Sequence, residues 1–451
     1  MSKKVLILLF FTGFICAFYY QITAESYNLA SQDAFLTYLP SRLRTLISYA
    51  KQNGVTNSVK FVQEDRDLNS YLFILDVKEP HKFLAYSRTK QLVNKTTAQL
   101  QNVLIDQPDT DDTSLIFKRI ISTAQKGDTF LAYQFRFDPN NPLKYQVAYV
   151  HWFSSHGKNY VLGAALFVET VPDYFIIMHR VKTVAKRIKK EGIEQVAPLL
   201  AHDPEPDNYF FIVQRKYPYR QIVNGANDKF LRKSAQELQQ IVFPHCEDPT
   251  ICDFSIWYER VDKIILPGAG FYDYLWPTAT ARSLKVGYMC PLEQEKHQYF
   301  LASGIRLRNV PTNLYKILPQ RVNRYLELIK SVGLENAVTV GHTENTPDAY
   351  VYIIELAPPY KHILFLNRKL EGEPLDIAYA EWKISHEKRS YIDYTTIMNQ
   401  EFAIARAGGG FYVYPYHTEG ENPQTFLKIS FLKPFTYEGK NYYVGSGYLI
   451  K

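Results

Sequence analysis

The sequence predicts an α+β protein that consists of three tandem domains of one plan. The first observation is a repeat, because Tyr71, Tyr209 and Tyr350 begin similar apolar segments and are spaced by 138 and 141 residues. The second is a change of period within each repeat, from helical spacing of apolar residues to strand-like alternation. The third is composition, since 35 Tyr and 28 Phe among 451 residues suit half-buried strands. A chain of this length has room for about three domains of ~150 residues.

Residues 1–24 have the composition of an export signal, which we predict to be cleaved. Lys3 and Lys4 form a positively charged start, and residues 5–20 carry no charge and are largely apolar. Ala24 supplies the small residue that a cleavage site needs. The alternative is an uncleaved anchor in the inner membrane formed by residues 5–20, although a span usually needs about 20 residues. We therefore expect the rest of the chain to be periplasmic or secreted, or held outside the cytoplasm by this anchor.

Each repeat begins with an amphipathic helix that is followed by a glycine. In the first repeat, the apolar residues that share one helix face are Leu39, Leu43, Leu46, Ile47 and Ala50. The glycines that follow the three helices are Gly54, Gly192 and Gly333, again spaced by 138 and 141 residues. Because glycine is common just beyond helix ends, we expect each helix to stop there.

Two strands joined by a turn follow each of these helices. The first strands are predicted over residues 71–76, 209–214 and 350–355. The prolines that mark the turns are Pro80, Pro218 and Pro359. A second apolar run follows each turn and completes the predicted hairpin.

A glycine-rich segment, which we call the glycine knot, then separates a second helix from an aromatic strand. The knots lie at Gly127, at Gly268 and Gly270, and at Gly408 to Gly410. In a dinucleotide-binding loop the glycines follow a strand and precede a helix. Here the order is reversed, so we predict helix C-caps and strand entries. Two further strands close each repeat.

The repeats define three predicted domains, which cover residues 28–170, 173–310 and 311–451. Each is long enough to bury its own core, which favours tandem domains over a solenoid. Because the third repeat extends to Lys451, we expect no cytoplasmic output module within this sequence.

The sequence lacks the usual signatures of catalysis and of metal binding. It contains no His-Glu-x-x-His, Gly-x-Ser-x-Gly, Walker or Cys-x-x-Cys motif. The histidines are scattered without ligand-like spacing. The net charge of +7 is mild for 451 residues, whereas nucleic-acid binding usually needs a clustered basic face. We predict no enzymatic activity, no catalytic residue, no metal, no cofactor and no nucleic-acid partner.

Three cysteines follow the export signal. Cys246 and Cys252 enclose a short loop. Because exported proteins meet an oxidising environment, we predict a disulfide between these two residues. Cys290 is left over, and we expect it to be buried on a strand.

Two repeated features predict a ligand-binding role. A basic residue follows each turn proline by two positions, and these residues are Lys82, Arg220 and Lys361. The strand after each knot carries two aromatic residues at alternate positions: Tyr133 with Phe135, Tyr274 with Trp276, and Tyr414 with Tyr416. Alternate strand positions share one face, so each pair forms an aromatic wall. Such a wall beside a cation suits a small carboxylate or an amine-bearing ligand. The alternative is that these rings pack in the core.

The order of elements and the glycine–aromatic motifs resemble the Cache domain, most closely its single, PAS-like form in bacterial extracytoplasmic sensors. The matching residues of the last repeat are Gly408 to Tyr414, Lys428 and Tyr443 to Tyr448. Those of the middle repeat are Gly268, Gly270, Tyr274, Trp276, Ser303 and Gly304. The resemblance implies, in each repeat, a long N-terminal helix packed on an antiparallel PAS-like sheet. It also implies a pocket for a small ligand beside that sheet.

Two functions follow from this pattern as hypotheses. The first is an extracytoplasmic, sensor-type protein that binds a small organic ligand such as a carboxylate and signals through a separate membrane protein. Its predicted ligand-binding residues are Lys82, Tyr133, Arg220, Tyr274, Trp276, Lys361 and Tyr414. The second is a secreted or surface protein-interaction factor in which the three repeats are a rigid scaffold.

Overall fold

A computed structural model describes residues 34–450, except for residues 68, 101–112, 136–143, 169–172, 202, 204–207, 245–252, 266–267, 278–281, 307–312, 347–349, 379, 381–393 and 418–424. The predicted export signal and the predicted Cys246–Cys252 disulfide lie outside the described residues. The chain forms two compact units, Met1–Thr183 and Val184–Lys451. The division falls within a helix, and the predicted boundaries of three domains stay a prediction.

Domain 1 comprises the first sheet and its helices. Its helices are α1 (Ala34–Glu64) and α2 (Thr113–Lys126), with 3₁₀ turns at Lys90–Leu92 and Thr97–Leu100. Its strands are β1 (Tyr71–Asp76), β2 (Lys82–Tyr86), β3 (Thr129–Phe135), β4 (Lys144–Ser155) and β5 (Lys158–Val168).

Domain 2 repeats this order of elements. Its helices are α3 (Asp173–Glu191), α4 (Ile193–Leu200), α5 (Ala235–Val242) and α6 (Phe254–Ile265), with a 3₁₀ turn at Asp228–Phe230. Its strands are β6 (Phe210–Gln214), β7 (Gln221–Asn224), β8 (Gly270–Pro277), β9 (Arg282–Gln294) and β10 (His297–Arg306). Cys290 lies in β9 and is buried, as predicted.

Domain 3 repeats the order once more. Its helices are α7 (Leu314–Val332), α8 (Leu334–Glu344), α9 (Leu375–Ala378) and α10 (Tyr394–Arg406), with a 3₁₀ turn at Arg368–Leu370. Its strands are β11 (Tyr350–Glu355), β12 (His362–Leu364), β13 (Gly410–His417), β14 (Thr425–Tyr437) and β15 (Lys440–Ile450).

All three sheets have the same strand order. They read β2-β1-β5-β4-β3, β7-β6-β10-β9-β8 and β12-β11-β15-β14-β13, and neighbouring strands are antiparallel. The last strand of each domain is therefore the central strand, and the strand that follows the glycine knot is an edge. The prediction of an α+β protein with three antiparallel sheets is confirmed.

The prediction that each N-terminal helix ends at its glycine is wrong, because the chain continues as a helix beyond the glycine. Gly54, Gly192 and Gly333 have φ values of 74°, 88° and 83°, which glycine adopts without strain. Helical structure resumes at the next residue in each domain. Each glycine is thus a break between two helical segments.

The sheet of domain 1 carries an apolar core on each face. Leu72 points to the α1 side, where it packs with Leu43, and Phe73 points to the opposite side, where it packs with Phe117 of α2. Alternation along β1 explains this division, because successive side chains point to opposite faces. Each fully buried side chain of this kind contributes about 1.5–3 kcal/mol to folding.

Equivalent elements of domains 2 and 3 contact each other within the second unit. Helix α6 packs against α10, and edge strand β8 lies beside edge strand β13. These are the helix before the knot and the strand after it in each domain. The two glycine knots therefore lie at this contact.

Candidate functional site

The strand after each glycine knot brings a tyrosine opposite a buried polar residue of the next strand. The register pairs are Tyr133 with Gln146, Tyr274 with Lys285, and Tyr414 with Lys428. The exposed fractions of Gln146, Lys285 and Lys428 are 0%, 1% and 2%. A buried lysine is unusual in a protein core. Domains 2 and 3 therefore each carry, in Lys285 and Lys428, a basic side chain that the packing of a core does not require.

In domain 3, the ammonium group of Lys428 lies among four tyrosine rings, which we call the tyrosine cluster. The distances from Lys428 Nζ to the ring centroids are 4.6 Å for Tyr350, 4.8 Å for Tyr416, 5.2 Å for Tyr352 and 5.3 Å for Tyr414. These distances are within the range of cation–π attraction. The rings replace part of the hydration that burial removes from the ammonium.

Glu401 of helix α10 supplies a buried carboxylate to the same cluster. Its exposed fraction is 4%, and the hydroxyl of Tyr352 donates a hydrogen bond of 2.7 Å to Glu401 Oε1. Glu401 stands nine residues before the first residue of β13. The equivalent positions before β8 and β3 hold Val261 and Ile120, which are buried and apolar. Domain 3 thus has a charge where its two sister domains have an aliphatic side chain.

The two buried charges perturb each other. Burial lowers the pKa of Lys428 to about 7, and the negative charge of Glu401 opposes this shift. Burial raises the pKa of Glu401, whereas the hydrogen bond from Tyr352 and the positive charge of Lys428 oppose the rise. Each group therefore makes the ionised form of the other less costly.

His362 of β12 is also buried beside this charge pair. Burial, assisted by the positive charge of Lys428, lowers the pKa of His362 to about 3. Its imidazole is therefore neutral at physiological pH. The ring lies against Phe365, with the two centroids 4.2 Å apart.

Two glycines near the end of the chain make room for this arrangement. A methyl group on Gly445 would lie 2.4 Å from Cζ of Tyr352, its register partner on β11. A methyl group on Gly447 would lie 2.5 Å from Cε of Lys428. The glycines of this closing strand thus accept the Tyr352 ring and the Lys428 stem.

Domains 1 and 2 fill the equivalent space differently. In domain 2, Lys285 Nζ lies 4.8 Å from the ring centroid of Tyr209, and the rings of Tyr272 and Tyr274 are stacked 5.6 Å apart. In domain 1, the rings of Tyr71 and Tyr86 lie 5.2 Å apart. The two positions therefore hold Gln146 and Ile120 in domain 1, Lys285 and Val261 in domain 2, and Lys428 and Glu401 in domain 3.

The predicted aromatic site residues and the predicted basic ones lie in different places. Tyr133, Tyr274 and Tyr414 are buried on their sheets. Arg220 is half exposed at the first hairpin, where it donates a 3.0 Å hydrogen bond to the carbonyl oxygen of Arg232 and lies 3.8 Å from Glu237 Oε2.

Lys82 and Lys361 occupy the same hairpin as Arg220 in their domains. Each follows a cis X–Pro bond. Each also forms an isolated antiparallel β-bridge through its backbone, Lys82 with Thr96 and Lys361 with Pro374. Trp276 belongs to β8, and its side chain lies outside the described part of the chain. The ligand-binding role of these seven residues stays a prediction.

Sequence reasoning did not select Lys428 or Glu401 as site residues, although each carries a signal. Lys428 interrupts an apolar run between Leu427 and Ile429, and it belongs to the motif that resembles Cache domains. Glu401 occupies a position that is aliphatic in the other two repeats. Aligning the helices of the three repeats on their knots would have indicated Glu401.

Comparison with solved structures found similarities of fold. A methyl-accepting chemotaxis protein from Vibrio parahaemolyticus is 17% identical, with a TM-score of 0.24, over 33% of this chain and 96% of that one. A Cache chemosensory domain studied for carboxylic acid recognition is 18% identical, with a TM-score of 0.20, over 28% of this chain and 84% of that one. The ligand-binding domain of an amino-acid chemoreceptor from Pseudomonas aeruginosa, in complex with GABA, is 10% identical, with a TM-score of 0.17, over 60% and 89%.

Neither the protein-family models nor the curated proteins contain a match to this chain. The architecture of each sheet domain nevertheless agrees with the Cache-like fold that the sequence motifs predicted. Three sheets of one strand order correspond to the three predicted copies.

No helix in the described part of the chain is both long and apolar enough to cross a membrane. Within the same residues, no group of three His, Cys, Asp or Glu side chains is placed to hold a metal ion.

Proposed function

We propose that this chain is an extracytoplasmic, sensor-type protein that binds a small organic ligand such as a carboxylate. The binding site is the Lys428–Glu401 site of domain 3, which consists of these two residues and the tyrosine cluster. The observation that carries the proposal is that two buried groups of opposite charge, Lys428 and Glu401, both lie against Tyr352. Export is supported by residues 1–24, and signalling passes to a separate membrane protein.

The stability of the fold does not require this charge pair. Replacing a buried ion pair by apolar residues is often neutral, or stabilising by about 1–4 kcal/mol. The fold accommodates Val261 and Ile120 at the position of Glu401, and it accommodates Gln146 at the position of Lys428. A costly group retained in one copy, beside groups with perturbed pKa values, is typical of a functional site.

The chemistry of the site suits a small carboxylate. The ammonium of Lys428 ends a flexible stem of four carbons, so it can turn from the rings toward a ligand carboxylate. The tyrosine rings provide apolar walls, and their hydroxyl groups provide hydrogen bonds at the edges. A few polar groups converging on aromatic walls are the usual composition of a small-molecule site.

A thermal-shift screen of the full chain with organic acids, amines, amino acids and purines tests the proposal. A ligand present at 100 times its Kd stabilises the folded state by about 2.7 kcal/mol. For the ligand that the screen finds, we expect Lys428→Gln to raise the Kd by at least about 30-fold, or about 2 kcal/mol. Lys361→Gln, in the turn before β12, is the matched control and tests the alternative cation. A blank screen, or an unchanged Kd in Lys428→Gln, would contradict the proposal.

A second function, that of an interaction scaffold, is favoured for domains 1 and 2. Glu401 has no charged counterpart in these two domains, because Val261 and Ile120 occupy its position. Close-packed, rigid domains without a charge pair of this kind suit a scaffold. Cross-linking of the exported chain to a protein partner, unchanged in Lys428→Gln, would support this role.

A further inference from the structure

We infer that a cleft in domain 1, which we call the Gly54 cleft, binds a small aromatic carboxylate. The cleft lies between the break in α1 and the hairpin of β4 and β5, and residues 50–54 and 151–156 line it. Its volume is about 630 Å³, within the range of about 300–1,000 Å³ that is usual for small-molecule sites. This site belongs to a different domain from the Lys428–Glu401 site and does not depend on the proposed function.

One position at the end of β4 accounts for the cleft. The position holds Ser155 in domain 1, Gln294 in domain 2 and Tyr437 in domain 3. The three residues are equivalent, because each ends its strand and pairs across a hairpin with the first residue of the closing strand. Serine has the shortest of the three side chains, so it fills the least space beside the helix break.

The glycines at the helix breaks show the same difference. A methyl group on Gly192 would lie 3.2 Å from Nε2 of Gln294, and one on Gly333 would lie 3.1 Å from the hydroxyl oxygen of Tyr437. A methyl group on Gly54 would have no atom of the described residues within 4 Å. A side chain of the protein therefore lies over the break in domains 2 and 3, whereas in domain 1 this space is open to a ligand.

The side chains that lie over the break in domains 2 and 3 show which groups this space accepts. In domain 2, Gln294 Oε1 accepts a 2.8 Å hydrogen bond from the backbone N–H of Ile193, the first residue after the break. In domain 1 the first residue after the break is Val55, so its N–H is the equivalent donor. In domain 3, Tyr437 places an aromatic ring here, packed against the core. A ligand that combines an acceptor oxygen with an aromatic ring provides both groups.

The residues that line the Gly54 cleft favour an acid over an amine. None of them is acidic, and two exposed basic residues, Lys51 and His156, are among them. His151 Nδ1 lies 2.6 Å from Asp128 Oδ1, so this nitrogen donates to the carboxylate and Nε2 remains for a second hydrogen bond. Phe153 adds apolar surface from the core on the α1 side of the sheet. An aromatic carboxylate thus finds basic groups and an apolar wall, whereas Lys51 repels an amine.

Calorimetry on the full chain tests the inference with matched probes. Benzoate, phenylacetate and indole-3-acetate are the aromatic acids, benzyl alcohol and benzylamine lack the carboxylate, and cyclohexanecarboxylate lacks the aromatic ring. We expect the best aromatic acid to bind with a Kd below about 1 mM, and at least about tenfold more tightly than the probes that lack one of the two groups.

Ser155→Gln fills the cleft with the side chain that domain 2 uses, and it should raise the Kd of this acid at least about tenfold. Lys158→Gln is the control, because Lys158 lies opposite Ser155 in the same hairpin but outside the cleft lining. Its Kd should stay within about twofold of wild type. Circular dichroism checks folding, and Ser155→Tyr, which introduces the residue of domain 3, replaces Ser155→Gln if that variant does not fold.

An unchanged Kd in Ser155→Gln, equal affinities for the acid and benzyl alcohol, or no binding of any aromatic acid would overturn the inference. An acid whose binding weakens in Lys428→Gln but not in Ser155→Gln occupies the site of domain 3, which would overturn the inference and support the proposed function. If Ser155→Gln weakens the binding of every ligand that is found and Lys428→Gln weakens none, the inference stands and the proposed function fails.

Discussion

Gln400 of domain 3 donates a hydrogen bond from Nε2 to the carbonyl oxygen of Ala269, 3.3 Å away, in the glycine knot of domain 2. The equivalent residue of domain 2 makes the reciprocal approach. Arg260 stands ten residues before the start of β8, as Gln400 does before β13, and its Cδ would lie 3.5 Å from a methyl group on Gly410 in the knot of domain 3. The two domains thus meet through equivalent surfaces, in the manner of a twofold dimer.

Gln400 also connects this contact to the aromatic strand of domain 3. Its Oε1 accepts a 3.0 Å hydrogen bond from the hydroxyl of Tyr412, and its neighbour Glu401 belongs to the candidate site. The residue that lies at the contact between the domains is therefore adjacent in sequence to a residue of the site.

We predict that Gln400→Ala lowers the free energy of unfolding by about 1–3 kcal/mol, because it removes a hydrogen-bond partner of the buried Tyr412 hydroxyl and of the part-buried Ala269 carbonyl oxygen. Urea denaturation of the full chain measures the change. Gln240→Ala, at an exposed position of α5, is the control and should stay within about 0.5 kcal/mol of wild type. Equal midpoints for Gln400→Ala and wild type would show that the contact does not stabilise the second unit.

Gly445→Ala should destabilise domain 3 by about 1–3 kcal/mol, because the added methyl group would lie 2.4 Å from Cζ of Tyr352. A double-mutant cycle with Tyr352→Leu measures the coupling between the two positions. Once the ring is removed, the cost of Gly445→Ala should fall. The same cost in both backgrounds would mean that the ring does not account for it.

The stability contributed by Lys428 should depend on pH in a defined direction. Burial lowers its pKa to about 7 from the ordinary 10.5. Between these values the unfolded chain holds a proton that the folded chain releases, so the stability rises with pH; below about pH 7 the folded state bears the full cost of the buried charge. We therefore expect the free energy of unfolding of wild type, minus that of Lys428→Gln, to increase between pH 7 and pH 9 by up to about 1.4 kcal/mol per pH unit.

Denaturation at a series of pH values checks this expectation. Lys440→Gln, at an exposed hairpin position, is the control, and its difference from wild type should be flat over the same range. A difference for Lys428→Gln that is also flat, or that falls as the pH rises, would be incompatible with a buried ammonium at this position.

The sequence by itself determined the repeat and the order of elements. Tyr71, Tyr209 and Tyr350 lie at or next to the starts of equivalent strands, and their spacing is nearly constant across the three copies. The glycines of the knots follow helices and precede strands. These features are local, because helical and strand periods and the conformational freedom of glycine act over a few residues. For that reason the α+β class and the role of the knots as strand entries could be predicted.

Only the tertiary structure decided which cation lies beside the aromatic strand. The sequence pattern indicated Lys361, at the turn, whereas the antiparallel register of β13 and β14 places Lys428 opposite Tyr414, and the packing of α10 brings Glu401 to Tyr352. Such a meeting depends on strand register and helix rotation, which are set by the packing of the whole sheet. The charge pair that defines the candidate site is therefore a property of the folded domain.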